Sequence, residues 1–123
     1  MATNYRGTGD VVRIRSAAAA VTAGTPKVEG GFHGVPQTTV ATGGTYSLAI
    51  TGEHEVTFVT NAVQGSTVYI TDATGALTLS SGTGKRVFGK VSAVPGASST
   101  GTYAKEPASG KMWVILAHQN DAA

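Results

Sequence analysis

Histidines offer the first test for a chemical site in this chain. His33, His54 and His118 have no spacing typical of metal ligands. His54 stands between Glu53 and Glu55, and in a strand these two carboxylates share one face while the imidazole points to the other. This geometry disfavours a local histidine–carboxylate site. Because a metal site needs several ligands, we expect three ordinary surface or half-buried histidines and no metal.

The paired acids and the serines give no firmer sign of catalysis. Glu53 and Glu55 could in principle act as general acid and base. The same spacing arises when two acids line a solvated edge strand, where charge discourages unwanted pairing, and we favour this interpretation. No Gly-x-Ser-x-Gly turn marks a serine nucleophile.

A phosphate-loop reading of Ser81-Gly82-Thr83-Gly84-Lys85-Arg86 also fails. Leu79 stands where that loop needs glycine, and Arg86 where a hydroxyl would hold magnesium. The chain has no cysteine, which excludes disulfides, thiolate nucleophiles and cysteine-ligated zinc. We therefore expect no catalytic residue, no cofactor and no enzymatic activity.

Seven of the eight aromatic residues fall into two groups. Five lie in or beside strand-like runs, among them Tyr46, Phe88 and Trp113, and are expected in the core. Tyr5 and Tyr103 lie in polar stretches instead, where an aromatic side chain often anchors a partner protein. The alternative for Tyr5 is a frayed terminus.

Composition indicates one domain with a weakly charged, hydroxyl-rich surface. The 123 residues are 41% hydrophobic and 13% charged, and the formal net charge is +2. This charge is too small, and its cations too scattered, to predict nucleic-acid binding. No run predicts a membrane span and no basic start precedes an apolar stretch, so we expect a soluble protein made in a cytoplasm.

Period-two alternation of apolar residues recurs along the chain, whereas helical periodicity does not. The runs are short and bounded by turn-forming residues, which predicts about eight strands in a small β-barrel or β-sandwich. They are Val11–Arg15, an extended segment ending at Gly34-Val35-Pro36, Tyr46–Ile50, Val56–Thr60, Val68–Thr71, Leu77–Ser80, Val87–Val91 and Met112–Leu116.

Turn chemistry divides these runs and sets the predicted organisation. Thr71–Gly75 is the clearest hairpin, with Asp72 able to accept bonds from the backbone N–H groups that follow and Gly75 able to take a positive φ. Lys85-Arg86 is predicted to lie in a turn beside Gly84. We predict an N-terminal arm over residues 1–10, one β domain over 11–118 with a long loop at 95–111, and a tail over 119–123.

Glycines and small residues recur along the chain in a pattern made up of Met1–Tyr5, Gly9-Asp10 before valines, the alanine segment with Val21 and Gly24, Gly34-Val35, Gly65–Tyr69 with Asp72, Gly89-Lys90-Val91 and the apolar final strand. This pattern resembles a family of small tailed-phage proteins of the capsid-decoration, or cement, type. The family is often labelled a domain of unknown function or a phage recombinase of the RecA/RadA type. Ile70, where the family usually has tryptophan or a similar residue, and the length of the 95–111 loop depart from its pattern.

The resemblance implies a non-enzymatic protein that binds the outer surface of an assembled phage head. Its partners would be the major capsid protein and itself, as a homotrimer in preference to a dimer, with no membrane or nucleic acid involved. It would be made in the host cytoplasm and end in the virion. The implied contact residues are Thr3, Asn4, Tyr5, Arg6 and Tyr103.

Two other functions remain open from the sequence. One is a carbohydrate-binding or fibre-associated β-sandwich, which requires an exposed aromatic platform. The other is a small barrel that binds single-stranded nucleic acid, which the weak charge disfavours and for which affinity would fall steeply with salt.

Overall fold

The computed structural model describes residues 9–57, 62, 64–93 and 111–120. These residues form nine strands in two antiparallel sheets, ordered β1-β4-β3-β2 and β5-β9-β8-β6-β7. No helix long and apolar enough to cross a membrane occurs in this described part. The strands are β1 (Val11–Ile14), β2 (Lys27–Glu29), β3 (Phe32–Pro36), β4 (Tyr46–Ala49), β5 (Glu53–Thr57), β6 (Thr67–Thr71), β7 (Leu77–Thr78), β8 (Lys85–Ala93) and β9 (Lys111–Leu116).

The predicted all-β class is confirmed, and the two sheets do not close into a barrel, so the domain is sandwich-like. Strand positions also follow the alternating runs, with shifts at their ends. β5 starts at Glu53, earlier than the Val56–Thr60 run, whose residues 58–60 lie outside the described residues. β7 ends at Thr78, because Leu79 and Ser80 form a bend.

Buried side chains form two hydrophobic clusters. The larger lies on the five-stranded sheet, where alternate residues of β6 and β9 are buried together with Phe88 and Val91 of β8, and it also takes in Val35 of β3. The smaller lies on the four-stranded sheet, where Ile14, Tyr46 and Leu48 pack against Ala17 and Val21 of the connection after β1. Each sheet thus buries one face, which is what the period-two pattern requires.

β3 connects the two clusters. His33, Gly34, Val35 and Pro36 are all buried, so this strand is covered on both faces. Gly34 is required here, because a Cβ atom at this position would lie 2.1 Å from the carbonyl oxygen of Ala49 on β4. β3 therefore has to lie close against its neighbour.

The hairpin predicted at Thr71–Gly75 is present. Gly75 has a φ of 74°, its N–H donates to the Thr71 carbonyl at 2.7 Å, and the Thr71 N–H donates to Ala76 at 2.9 Å. Asp72 differs from the prediction. Its carboxylate accepts hydrogen bonds from Arg86 on β8 and not from the backbone of its own turn.

Candidate functional site

The five predicted contact residues, Thr3, Asn4, Tyr5, Arg6 and Tyr103, lie outside the described residues. They stay predictions, as do the arm, loop and tail boundaries. The described strand that follows the first four is β1, which starts at Val11 at the edge of the four-stranded sheet. The candidate site therefore consists of the outer edge of β1 and the side chains along it.

The outward edge of β1 carries backbone hydrogen-bonding groups. β1 pairs with β4 through Val11↔Ala49 and Val12↔Leu48, and the Ile50 N–H donates to the Asp10 carbonyl at 3.0 Å. Bonded and non-bonded pairs alternate along an antiparallel ladder, so Val12 bonds to β4 while Val11 and Arg13 turn their N–H and C=O groups away from it. Among the described residues, β4 is the one strand that pairs with β1. Within the described residues, this edge has no strand paired to it.

Side chains of the same edge make it basic. Arg13 and Arg15 are exposed and lie two residues apart, so they project on one face, while Val12 and Ile14 turn toward the smaller hydrophobic cluster. No ion pair joins either arginine to a carboxylate of the described residues. The edge therefore presents two guanidinium groups that no described carboxylate pairs with, beside backbone groups that no described strand bonds.

The histidines and acids form no metal site in the described part of the chain, where no group of three or more potential ligands occurs. The expectation of surface or half-buried histidines was wrong for His33, which is fully buried. Its Nε2 donates to the Ala117 carbonyl at 3.1 Å and its Nδ1 has no hydrogen-bond partner. Residues far along the chain, such as Ala117, pack against His33, so its residue type and local pattern could not predict its burial.

The solvated-edge interpretation of the paired acids is confirmed. Glu53 and Glu55 are exposed on β5, which is an edge strand of its sheet. Glu53 accepts a hydrogen bond from the Ser92 hydroxyl. Glu55 accepts from the Trp113 indole N–H at 3.0 Å and lies 3.9 Å from the Lys111 ammonium. Glu53 thus bonds to β8 and Glu55 to β9, the next two strands in the sheet order.

Arg86 was wrongly assigned to a turn. It lies in β8 with only 7% of its surface exposed. Its guanidinium makes a paired contact with Asp72, at 2.8 Å from Nε and 2.6 Å from Nη2, and Nη1 donates to the carbonyls of Gly31 and Asn120. Hydrogen bonding to Arg86 is the main reason that the pKa of Asp72 is lowered. A buried cation is tolerated only with such partners, and all of them are distant in sequence.

The same neighbourhood holds residues 117–120 against both sheets. The Gln119 side chain exchanges two hydrogen bonds with the backbone of His33, at 2.8 and 2.9 Å. Asn120 does the same with Val87, at 3.2 and 3.0 Å. Arg86, Gln119 and Asn120 therefore serve to join the sheets, and we assign them a structural role.

Trp113 was also placed wrongly by the sequence, which predicted it in the core. It is 41% exposed, and Ile115 on the same face of β9 is 51% exposed. Met112, Val114 and Leu116 fill the opposite, buried face. Alternation alone could not decide which of the two apolar faces of β9 points inward.

The chain matches no protein-family model, no curated protein and no solved structure at a significant level.

Proposed function

We propose that this chain is a non-enzymatic capsid-decoration protein, and the observation that best supports it is the basic edge of β1, to which no described strand other than β4 is paired. Decoration requires a surface that binds neighbouring subunits of a shell, with the major capsid protein as partner and the outer face of the phage head as location. An edge strand with free N–H and C=O groups can accept a strand from such a partner. Arg13 and Arg15 favour an acidic strand or loop.

The predicted arm adds to this edge. Residues 3–6 are separated from β1 by four residues, 7–10, so an arm that binds a capsid subunit would continue the same contact. A protein that binds the mature lattice and not an earlier form stabilises the mature state by mass action. Many copies, preferably as trimers, increase the effective concentration of each contact without requiring strong individual ones.

Co-sedimentation with phage heads tests this proposal. The purified protein is mixed with expanded and unexpanded heads of a phage that encodes it, and the bound fraction is measured against protein concentration. We expect saturable binding to expanded heads alone. Lack of binding to either form, together with salt-sensitive binding to single-stranded DNA in a parallel titration, would reject decoration in favour of a nucleic-acid function.

Variants of the edge locate the contact. Arg13→Glu combined with Arg15→Glu should weaken head binding by about tenfold, because two charge contacts of a partly exposed kind are reversed. Lys90→Glu combined with Lys111→Glu changes the net charge equally on the other sheet and should leave binding intact. Val11→Pro removes one edge N–H at the first residue of an edge strand, where proline is tolerated. If the two double variants lost head binding equally, the contact with the capsid would not lie at β1.

A further inference from the structure

A second surface, on the opposite sheet from β1, carries the exposed indole of Trp113. β9 lies between β5 and β8 in the five-stranded sheet, so Trp113 has backbone on both sides and open solvent above. Ile115 stands two residues further along the same face, about 7 Å away at the rise of an antiparallel strand. The two side chains form a short apolar strip, which we call the Trp113 platform.

Hydrogen bonding fixes the orientation of the indole. Glu55 is the residue directly opposite Trp113 in the β5–β9 ladder, and its Oε2 accepts the indole N–H at 3.0 Å. This bond places the N–H edge of the indole beside β5, while 41% of the residue's surface stays exposed. The platform therefore presents an exposed aromatic side chain whose rotation is restricted by a hydrogen bond to the neighbouring strand.

Polar groups border the platform on one side. Glu53, His54, Glu55 and Trp113 line a shallow hollow of about 160 Å³. Each carboxylate can accept about four hydrogen bonds, so Glu53 and Glu55 keep capacity beyond their bonds to Ser92 and Trp113. The Lys111 ammonium lies 3.9 Å from Glu55 and adds hydrogen-bond donors beside this carboxylate.

We propose that the Trp113 platform binds a neutral carbohydrate, with one pyranose ring stacked on the open face of the indole. The face of an aromatic ring is electronegative and attracts the weakly positive C–H groups of a sugar face. Sugar hydroxyls would donate to Glu53 and Glu55 and accept from Lys111. Paired carboxylates repel phosphate, which disfavours a nucleotide on the same indole. This binding is independent of the capsid role, since it uses the other sheet.

Trp113 is the single tryptophan of the chain, so intrinsic fluorescence reports on this platform alone. We would titrate the full chain with cellohexaose, maltohexaose, chitohexaose and mannohexaose. At least one should give a saturable shift in emission, with a dissociation constant on the order of 1 mM, as expected for one stacked ring with few hydrogen bonds. Ile115 extends the apolar strip, so the hexasaccharide should bind more tightly than its monosaccharide.

Affinity electrophoresis in gels containing the polysaccharide of the responding sugar tests the residues. Trp113→Ala should abolish retardation, and Glu55→Gln, at an exposed position, should weaken it several-fold. Tyr69→Ala is the matched control, because Tyr69 lies on β6 of the same sheet, beyond β8, and it should bind as the unchanged protein does. Circular dichroism verifies that each variant is folded.

Several results would overturn the assignment. One is an unchanged emission with all four sugars, and another is retardation that survives Trp113→Ala in a folded protein. A third is an emission shift that follows protein concentration without sugar, which would mean that a second copy covers the platform. None of these results depends on phage heads, so failure here and failure of the capsid proposal remain distinguishable.

Discussion

His33 shows how a single side chain links the two sheets of this domain. It lies on β3 of the four-stranded sheet, its ring centroid is 6.0 Å from that of Phe88 on β8, and its Nε2 donates to Ala117 after β9. Burial lowers its pKa below 6.5, the hydrogen bond to Ala117 opposes this, and the positive charge of Arg86 lowers it further. Protonation would leave a second N–H, on Nδ1, without a partner.

The lowered pKa of His33 predicts an acid-sensitive stability. The unfolded chain binds the proton more tightly than the folded chain, so the stabilisation present above pH 6.5 is lost as the pH falls toward the folded-state pKa. The free energy of unfolding should fall by at most about 1.4 kcal/mol per pH unit, measured by urea unfolding between about pH 7.5 and about pH 5. The lowered pKa of Asp72 acts below its ordinary value of 3.8, outside this window.

Two variants isolate this contribution. His33→Leu should be less stable at pH 7.5 by about 1 kcal/mol, because the hydrogen bond to Ala117 is lost, but it should lose most of the pH dependence. His118→Gln, at an exposed position, should keep the full slope. An equal slope in His33→Leu would assign the pH dependence to other groups.

Residue types alone could not predict how deeply a side chain is buried or which distant residues it bonds to. The phosphate-loop comparison at Ser81–Arg86 needs only residue types at fixed spacing, so the sequence suffices for it. The sequence failed for Arg86 and Trp113, whose burial depends on partners far along the chain. Arg86 bonds to Gly31, 55 residues away, and Trp113 to Glu55, 58 residues away.

Strands, by contrast, follow local alternation. The runs at Val11–Arg15, Tyr46–Ile50 and Met112–Leu116 each overlap a strand, because a half-buried strand imposes a period of two on its own residues. The order of strands within each sheet leaves no such local trace. β9 pairs with β5 and β8 through contacts that depend on the whole chain, and sequence reasoning gave no account of this order.

β8 and β9 approach each other so closely at Gly89 that the position leaves no room for a side chain. A Cβ atom at Gly89 of β8 would lie 2.2 Å from the Ile115 carbonyl oxygen of β9 and 2.7 Å from a methyl carbon of Val114. Gly89→Ala should therefore destabilise the protein by about 3 kcal/mol, at the upper end for an overpacked site. Gly82→Ala, which would touch only the Lys85 side chain at 3.7 Å or more, should be nearly neutral.

Thermal unfolding of both glycine variants measures the difference. A loss of 3 kcal/mol corresponds to a fall of more than about 6 °C in the melting temperature for a domain of this size. If Gly89→Ala melted within a degree of the unchanged protein, the β8–β9 spacing at this point would be wrong.

At the scale of the whole molecule, the two hydrophobic clusters are tied together by β3 and by residues 117–120. Val35 of β3 belongs to the larger cluster, while its neighbours on the four-stranded sheet fill the smaller. Gln119 bonds to β3 and Asn120 to β8. The clusters should therefore not unfold independently.

A single unfolding transition is the expected outcome. Trp113 fluorescence, which reports on the five-stranded sheet, should give the same urea midpoint as far-UV circular dichroism, which averages both sheets. Gln119→Ala removes both bonds to His33 and should lower this midpoint while the two curves stay superimposed. Separate midpoints in the unchanged protein would mean that the sheets are thermodynamically independent.

The sheet order also has a consequence during synthesis. β5 ends at Thr57 and its partner β9 begins at Lys111. At about 5–20 residues per second, the ribosome makes β9 roughly 3–10 s after β5. During that interval Val56 and the backbone of β5 have no native partner, and any other nascent chain on the same message presents the same segment. Polysomes would bring such chains close together, so the charged pair Glu53 and Glu55 stands where it can keep them from associating.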